Sequence, residues 1–340
     1  MTDILTPAPA SRATPAPALG PALACRAMTA AVDASPWRRR LSILMYHRIP
    51  AQPDPLFPGE VDAARFVEHL RFLKQAFNII PLREAVGMLA QGRLPVRAAC
   101  LTFDDGYADN AEVALPIMQE HGVSATVFVA TGFLDGGRMW NDSVIELVRR
   151  APAALDLTAL GLGQFKLDSH GARAVAIGAL LDALKYLPIA ERQAKVDAMV
   201  AHTGVNLPTN LMMRSEQVAQ LHRSGIEIGG HTVHHPIVAR MDPAGARREI
   251  VEGKAALETI IGAPVHTFAY PNGRPGRDYL AEHVTMVKEL GFEAAVTTSP
   301  GAARAGDNLY QLPRFTPWDR GQTGFTARMF RNMAVRGATV

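Results

Sequence analysis

Two short segments of this 340-residue chain combine residue types and spacings suited to chemistry. In Thr102-Phe103-Asp104-Asp105-Gly106, two carboxylates stand side by side before a glycine; in His231-Thr232-Val233-His234-His235, two histidines stand four apart. Adjacent carboxylates can divide labour, one holding a metal ion while the other takes a proton from water. Imidazoles at i and i+4 share a face of a helical turn, and with one carboxylate they make three protein ligands that leave a coordination position open. Either segment alone has an ordinary explanation: Asp-Asp-Gly is a common turn, and His222 and His266 show that histidines are scattered through the chain. What joins them is position, since each follows a short apolar run.

Three further run ends are weaker signals. Phe268-Ala269-Tyr270-Pro271-Asn272-Gly273 is a turn that could bring backbone N–H groups to a developing oxyanion, while Met45-Tyr46-His47 and Leu312-Pro313-Arg314 end two more runs in polar side chains. No glycine-rich phosphate loop follows any run, which disfavours a nucleotide enzyme.

These residues need a scaffold that gathers run ends. From residue 41 onward, apolar runs at 41–46, 77–80, 98–103, 124–130, 226–229, 265–269, 292–297 and 310–315 alternate with amphipathic stretches, predicting repeated β-α units. Asp242 and Pro243 open one helix that Gly262 closes, and Gly122 and Gly291 close two others. The expected fold class is α/β, a distorted or incomplete (β/α) barrel of seven to eight strands, with chemistry at the carboxyl ends of the strands. Residues 131–214 contain no convincing strand and are expected to form a helical insertion, with helices near 173–186 and 189–202. Residues 1–40, interrupted by Pro7, Pro9, Pro15, Pro17 and Pro21, read as a disordered Ala/Pro-rich tail ahead of a barrel domain at 41–340.

Hydrophobic residues make up 48% of the chain, enough for a substantial core, and the formal charge of +3 excludes no partner and points to no nucleic acid. Arg38, Arg39 and Arg40 read as a solvated boundary. Cys25 lies in a segment not expected to pack, so with Cys100 it implies no disulfide framework. No unbroken apolar stretch reads as a signal peptide or a bilayer span, so the expected location is cytoplasmic.

Together the motifs resemble the polysaccharide deacetylases of carbohydrate esterase family four, over about residues 41 to 316. The resemblance implies Asp104 as general base, and Asp105, His231 and His235 as ligands of one divalent metal ion. Zinc suits that set best, although manganese, cobalt or nickel would be accommodated. It implies hydrolysis of N-acetyl groups on an N-acetylated glycan, with a water on the metal attacking the acetyl carbonyl. The third motif departs from the family pattern, with Ala269-Tyr270-Pro271-Asn272 where an arginine is usual; Arg314 is the candidate to replace it beside Asp104, and the Asn272 N–H a candidate oxyanion donor. The family's C-terminal catalytic histidine is also missing, since no histidine follows His283. His47 fills that place as general acid if the barrel is circularly permuted, as in the subgroup resembling poly-N-acetylglucosamine deacetylases. Trp140 and Asn141 are expected near the glycan path. Two rival readings stand beside this one: a metal-dependent hydrolase of a small non-sugar amide or imide, and a carbohydrate-binding barrel without activity.

Overall fold

Seven of the eight apolar runs become strands of one sheet in the computed structural model, which describes Gly20 and residues 23–27, 39–319 and 321–340. The first half of the barrel comprises β1 (Arg40–Tyr46), α1 (Ala63–Ala76), β2 (Asn78–Ile79), α2 (Leu82–Ala90), β3 (Ala98–Phe103), a π turn (Asn110–Ala114) running into α3 (Leu115–His121), and β4 (Thr126–Val129). Next come α4 (Trp140–Arg150), β5 (Ala154–Asp156), β6 (Gln164–Lys166), α5 (His170–Leu184) and α6 (Ile189–Thr203). The second half follows with α7 (Ser215–Arg223), β7 (Glu227–Gly230), α8 (Pro243–Ile261), β8 (Thr267–Ala269), α9 (Ala281–Glu289), β9 (Ala294–Val296), β10 (Ala303–Arg304) and α10 (Gln322–Ala334). The helix punctuation acts as expected: the Asp242 side chain accepts from the Gly245 N–H, and Gly262 ends α8 in the left-handed conformation.

The sheet runs β10-β1-β3-β4-β7-β8-β9, with β2 beside the start of β3. All of these pairings are parallel except that of β10 with β1. Since β1 takes one whole edge of β3, β2 and β4 share the other, β2 at Ala98 and Ala99 and β4 at Thr102 and Phe103.

The expected strand at 310–315 is not a regular one. Leu309–Gln311 forms a 3₁₀ turn, and Pro313 has no N–H to give to a ladder. The segment nevertheless bridges β9 to β1: Leu312 N–H donates to Ala295 O (2.9 Å) and Phe315 N–H to Ile43 O (3.1 Å). This irregular stitch closes the distorted (β/α) barrel.

Side-chain alternation sorts the strands into two cores. Leu41, Ile43, Cys100, Phe128 and Val296 pack with Leu82, Val86 and Leu89 of α2, which fills one end of the barrel. Leu44, Tyr46, Leu101 and Phe103 instead meet the surrounding helices. Residues between β4 and α7 have a core of their own, including Val144, Leu147, Leu155, Leu180 and Met199. That stretch is not purely helical, because β5 and β6 form an antiparallel hairpin within it. Each of these strands has one large apolar residue between exposed ones, Leu155 and Phe165, too short a pattern to register as alternation.

Cys25 does pack, contrary to expectation: it is buried against the main core, and among the described residues neither it nor Cys100 forms a disulfide. Most of the tail at 1–40 lies outside the described residues. Among the described residues, no helix is long and apolar enough to cross a membrane.

Candidate active site

A parallel sheet delivers the residues after each strand to one rim, and the two motifs meet there. Asp104 N–H donates to Tyr46 O at 3.0 Å, extending the β1–β3 ladder by one step before the chain turns at Asp105 (φ 77°) and Gly106 (φ 90°). The loop after β7 turns at Thr232 (φ 66°) and His235 (φ 51°), and the loop after β8 at Asn272 (φ 57°). Four of the six non-glycine residues at positive φ among the described residues therefore stand at this rim, where each costs about 1–3 kcal/mol of strain.

The histidine loop is held in that shape by α8. Glu249 accepts from the N–H groups of Val233 (3.0 Å) and His234 (2.8 Å), and its other oxygen pairs with the His234 ring at 2.8 Å. Gly253 lies so close that a Cβ there would meet the Thr232 carbonyl at 2.8 Å. Glu249→Ala is therefore expected to weaken metal affinity by about 10- to 100-fold, the range for losing an outer support of a ligand loop. Metal titration of the variant checks this; unchanged affinity with only a lowered melting temperature would limit Glu249 to stability.

His231 Nε2 and His235 Nε2 lie 3.4 and 3.5 Å from Asp105 Oδ1, and all three groups are largely buried. His231 Nδ1 is 2.7 Å from Ala269 O. A carbonyl only accepts, so the ring proton sits on Nδ1 and Nε2 presents a lone pair to a carboxylate oxygen that has no hydrogen-bond partner. Facing lone pairs in a buried site require a cation or a proton between them, and this donor set suits a divalent metal. Burial pushes the His235 imidazole down to about 4, leaving it neutral for ligation. Burial would raise Asp105, but the facing His231 ring and the nearby imidazoles hold its carboxyl well below the usual range. Burial also opposes charge on His231, yet the facing Asp105 and Asp104 carboxylates outweigh it and raise that imidazole, so a proton competes with a metal there. His234 points out of the cluster to Glu249.

Asp104 is clamped by Arg314. Both guanidinium Nη atoms donate to its carboxylate at 2.6 Å, Nη1 also reaches Thr102 Oγ1 (3.0 Å), and Nε donates to Thr297 O (3.0 Å). The arginine is 0% exposed, so the pair is buried, but each guanidinium nitrogen is hydrogen-bonded, the condition under which a buried ion pair is tolerated. Burial would raise the Asp104 pKa; the facing Arg314 charge and its two hydrogen bonds outweigh that and lower it.

His47 lies exposed at the cleft mouth. Its carbonyl accepts from Asn110 Nδ2 (2.8 Å) at the start of the π turn, while Asp109 takes the Ile49 N–H (3.1 Å) and Arg48 Nε (3.0 Å). The loop after β1 is thus tied to the one after β3. One cleft of about 520 Å³ is lined by His47, Asp104, Asp105, His231, His235 and Asn272.

Three residues expected to face the substrate, Tyr270, Trp140 and Asn141, are not in it. Tyr270 is fully buried, its ring stacked on Tyr279 at 4.0 Å and its hydroxyl donating to Tyr310 O (3.1 Å), because the residue after β8 still faces the core. Trp140 begins α4 and packs, partly buried, on the core of the insertion under the Arg192 guanidinium (4.7 Å), anchoring that subdomain. Trp318, 62% exposed, is an aromatic ring that does line the cleft, and sequence reading missed it. Its signal was its place four residues beyond Arg314. Lys185 and Tyr186 from the insertion, with Arg274 and Arg277 from the loop after β8, complete the wall and were also missed.

Fold and site define a barrel with a hydrolytic rim of three potential metal ligands and a clamped carboxylate. The family model described as Polysaccharide deacetylase matches residues 91–153 and 185–295, half of the chain, and the chain belongs to that family. "Putative polysaccharide deacetylase YxkH" of Bacillus subtilis (strain 168) is 22% identical over 289 residues, covering 83% of this chain and 75% of that protein. Among solved structures, the deacetylase PplD of Streptococcus pyogenes, in complex with acetate, superposes with a TM-score of 0.57 at 20% identity, covering 86% of this chain and 98% of that one. IcaB from Ammonifex degensii gives 0.55 at 19% identity, covering 86% and 97%. His47 and Arg314 lie outside the stretches the family model matches.

Proposed function

We propose that this enzyme removes N-acetyl groups from an amino-sugar polysaccharide or oligosaccharide with the help of one divalent ion, zinc being the best fit to two imidazoles and a carboxylate. The observation that carries this reading is the convergence of an arginine-clamped Asp104, the Asp105-His231-His235 cluster and His47 on one cleft. An ion held by those three ligands supplies Lewis acidity toward the acetyl carbonyl and eases deprotonation of a water. Asp104, kept ionised by Arg314, takes the proton from the attacking water. His47 delivers a proton to the amine nitrogen as the C–N bond breaks, and the Asn272 N–H faces the oxyanion that forms in between. The exposed ring of Trp318 suits the face of a sugar, which favours a glycan over a small amide or imide.

Acetate release from chitooligosaccharides, with metal-stripped and zinc-restored protein, tests the reading directly. Activity on cyclic imides alone would replace it with the small-amide reading, and binding without turnover by the zinc-restored protein would leave only a carbohydrate-binding barrel. His47→Ala is expected to keep fold and metal and lose about 10²-fold or more on an amide, the scale of acid assistance. The loss on an acetyl ester should be smaller, because a leaving alcohol needs less protonation than an amine. Equal amide activity in wild type and variant would remove His47 from the mechanism.

A further inference from the structure

The cleft wall opposite the catalytic carboxylates is cationic. Lys185, from the turn between α5 and α6, meets Arg274 and Arg277 from the loop after β8, and all three line the same cavity as His47 and the histidine cluster. Both arginines are exposed and Lys185 half-buried. None of the three forms an ion pair with a carboxylate among the described residues; the Arg277 guanidinium instead bonds the Tyr186 hydroxyl and lies over its ring at 5.3 Å. Asp278 is the one acid on this wall, but it is 3% exposed and its carboxylate accepts from the Arg274 N–H at 3.0 Å. Three mobile or forked donors on a concave site, none of them in an ion pair among the described residues, have the chemistry of an oxyanion receptor.

Resting on the deacetylase reading above, we propose that this wall is an anion subsite. The substrate glycan carries a phosphate or a carboxylate on the acetamido sugar or its immediate neighbour, received by Lys185, Arg274 and Arg277. A neutral homopolymer of N-acetylglucosamine leaves three cations unanswered at the mouth. An anionic chain satisfies them and is drawn into the cleft by their summed field. Guanidinium forks suit either anion, so the geometry leaves phosphate and carboxylate as two sources of one chemistry.

Three matched probes test this: chitotriose, its 6-phosphate, and its C6-oxidised carboxylate, each assayed for binding by calorimetry and for acetate release with zinc-loaded protein. At low ionic strength either or both anionic probes should bind about tenfold or more tighter than chitotriose, the stronger one naming the group. The advantage should shrink as salt shortens the Debye length from about 30 Å at 0.01 M to about 8 Å at 0.15 M. In an Arg274→Gln/Arg277→Gln double variant the anionic-to-neutral ratio should fall toward one. The double variant separates the wall from attraction by the zinc itself. Equal binding of all three probes by wild type, or a ratio that survives the double variant, would overturn the subsite. Discrimination in binding with acetate released from no probe would keep the subsite and overturn the deacetylase reading.

Discussion

Asp105→Ala, His231→Ala and His235→Ala are each expected to lose bound metal and acetate release together. Among the described residues only these three groups converge, with ligand atoms within 4.8 Å of one another, so two remaining ligands make a weak site. Asp104→Asn should part the two properties: metal stays, because its carboxylate is taken up by Arg314 and is not in the cluster, while turnover falls by about 10²- to 10⁴-fold. Elemental analysis beside an acetate assay reads both quantities. Stoichiometric metal in all three ligand variants would move the site elsewhere.

The second large effect is on stability. Arg314→Met should destabilise the protein by about 3–5 kcal/mol near neutral pH, because it strands the Asp104 carboxylate in a buried site without its partner. The sign with pH follows from the direction of the shift. In the wild type the folded pKa of Asp104 is lowered, so its contribution to stability is present above the unfolded value of about 3.9 and is lost as pH falls through the folded value. Without the arginine, burial raises that pKa, and protonation then relieves the variant as pH drops. The stability gap between wild type and variant should therefore narrow from pH 7 toward pH 4, and the acid limb of kcat/KM should move to higher pH. Denaturant unfolding at several pH values, with a pH–rate profile, measures both. A gap independent of pH and an unmoved acid limb would mean that Arg314 does not govern the ionisation of Asp104.

Much of the fold was legible because its signals are local. Strand runs and helix caps depend on neighbours a few residues apart, and Asp242 and Gly262 act at α8 as their residue types require. The histidine pair was legible because both residues lie in one short segment, but their rings meet through a loop with left-handed turns at Thr232 and His235 and not on the face of a helical turn, as the four-residue spacing suggests. The stretch at 310–315 misled because apolar content reports burial and not ladder pairing, and Pro313 breaks the ladder while Leu312 and Phe315 still stitch the barrel shut.

The sequence by itself thus determined the class of barrel, its family resemblance and the two short motifs at the strand ends, all carried by short-range spacing. Only the tertiary structure decided what the remaining charges and rings face. Arg314 and Asp104 are 210 residues apart, and their two hydrogen bonds exist because the closing segment runs beside β1 and buries the guanidinium against β3. Trp140 and Trp318 are indistinguishable as letters; one is packed under Arg192 on the insertion core and the other stands open in the cleft. Lys185 meets Arg274 and Arg277 only because the insertion folds back over the rim. The physical reason is the same in each case: burial and pairing of a long polar or aromatic side chain are set by which distant strand or helix arrives beside it, and barrel closure makes that choice.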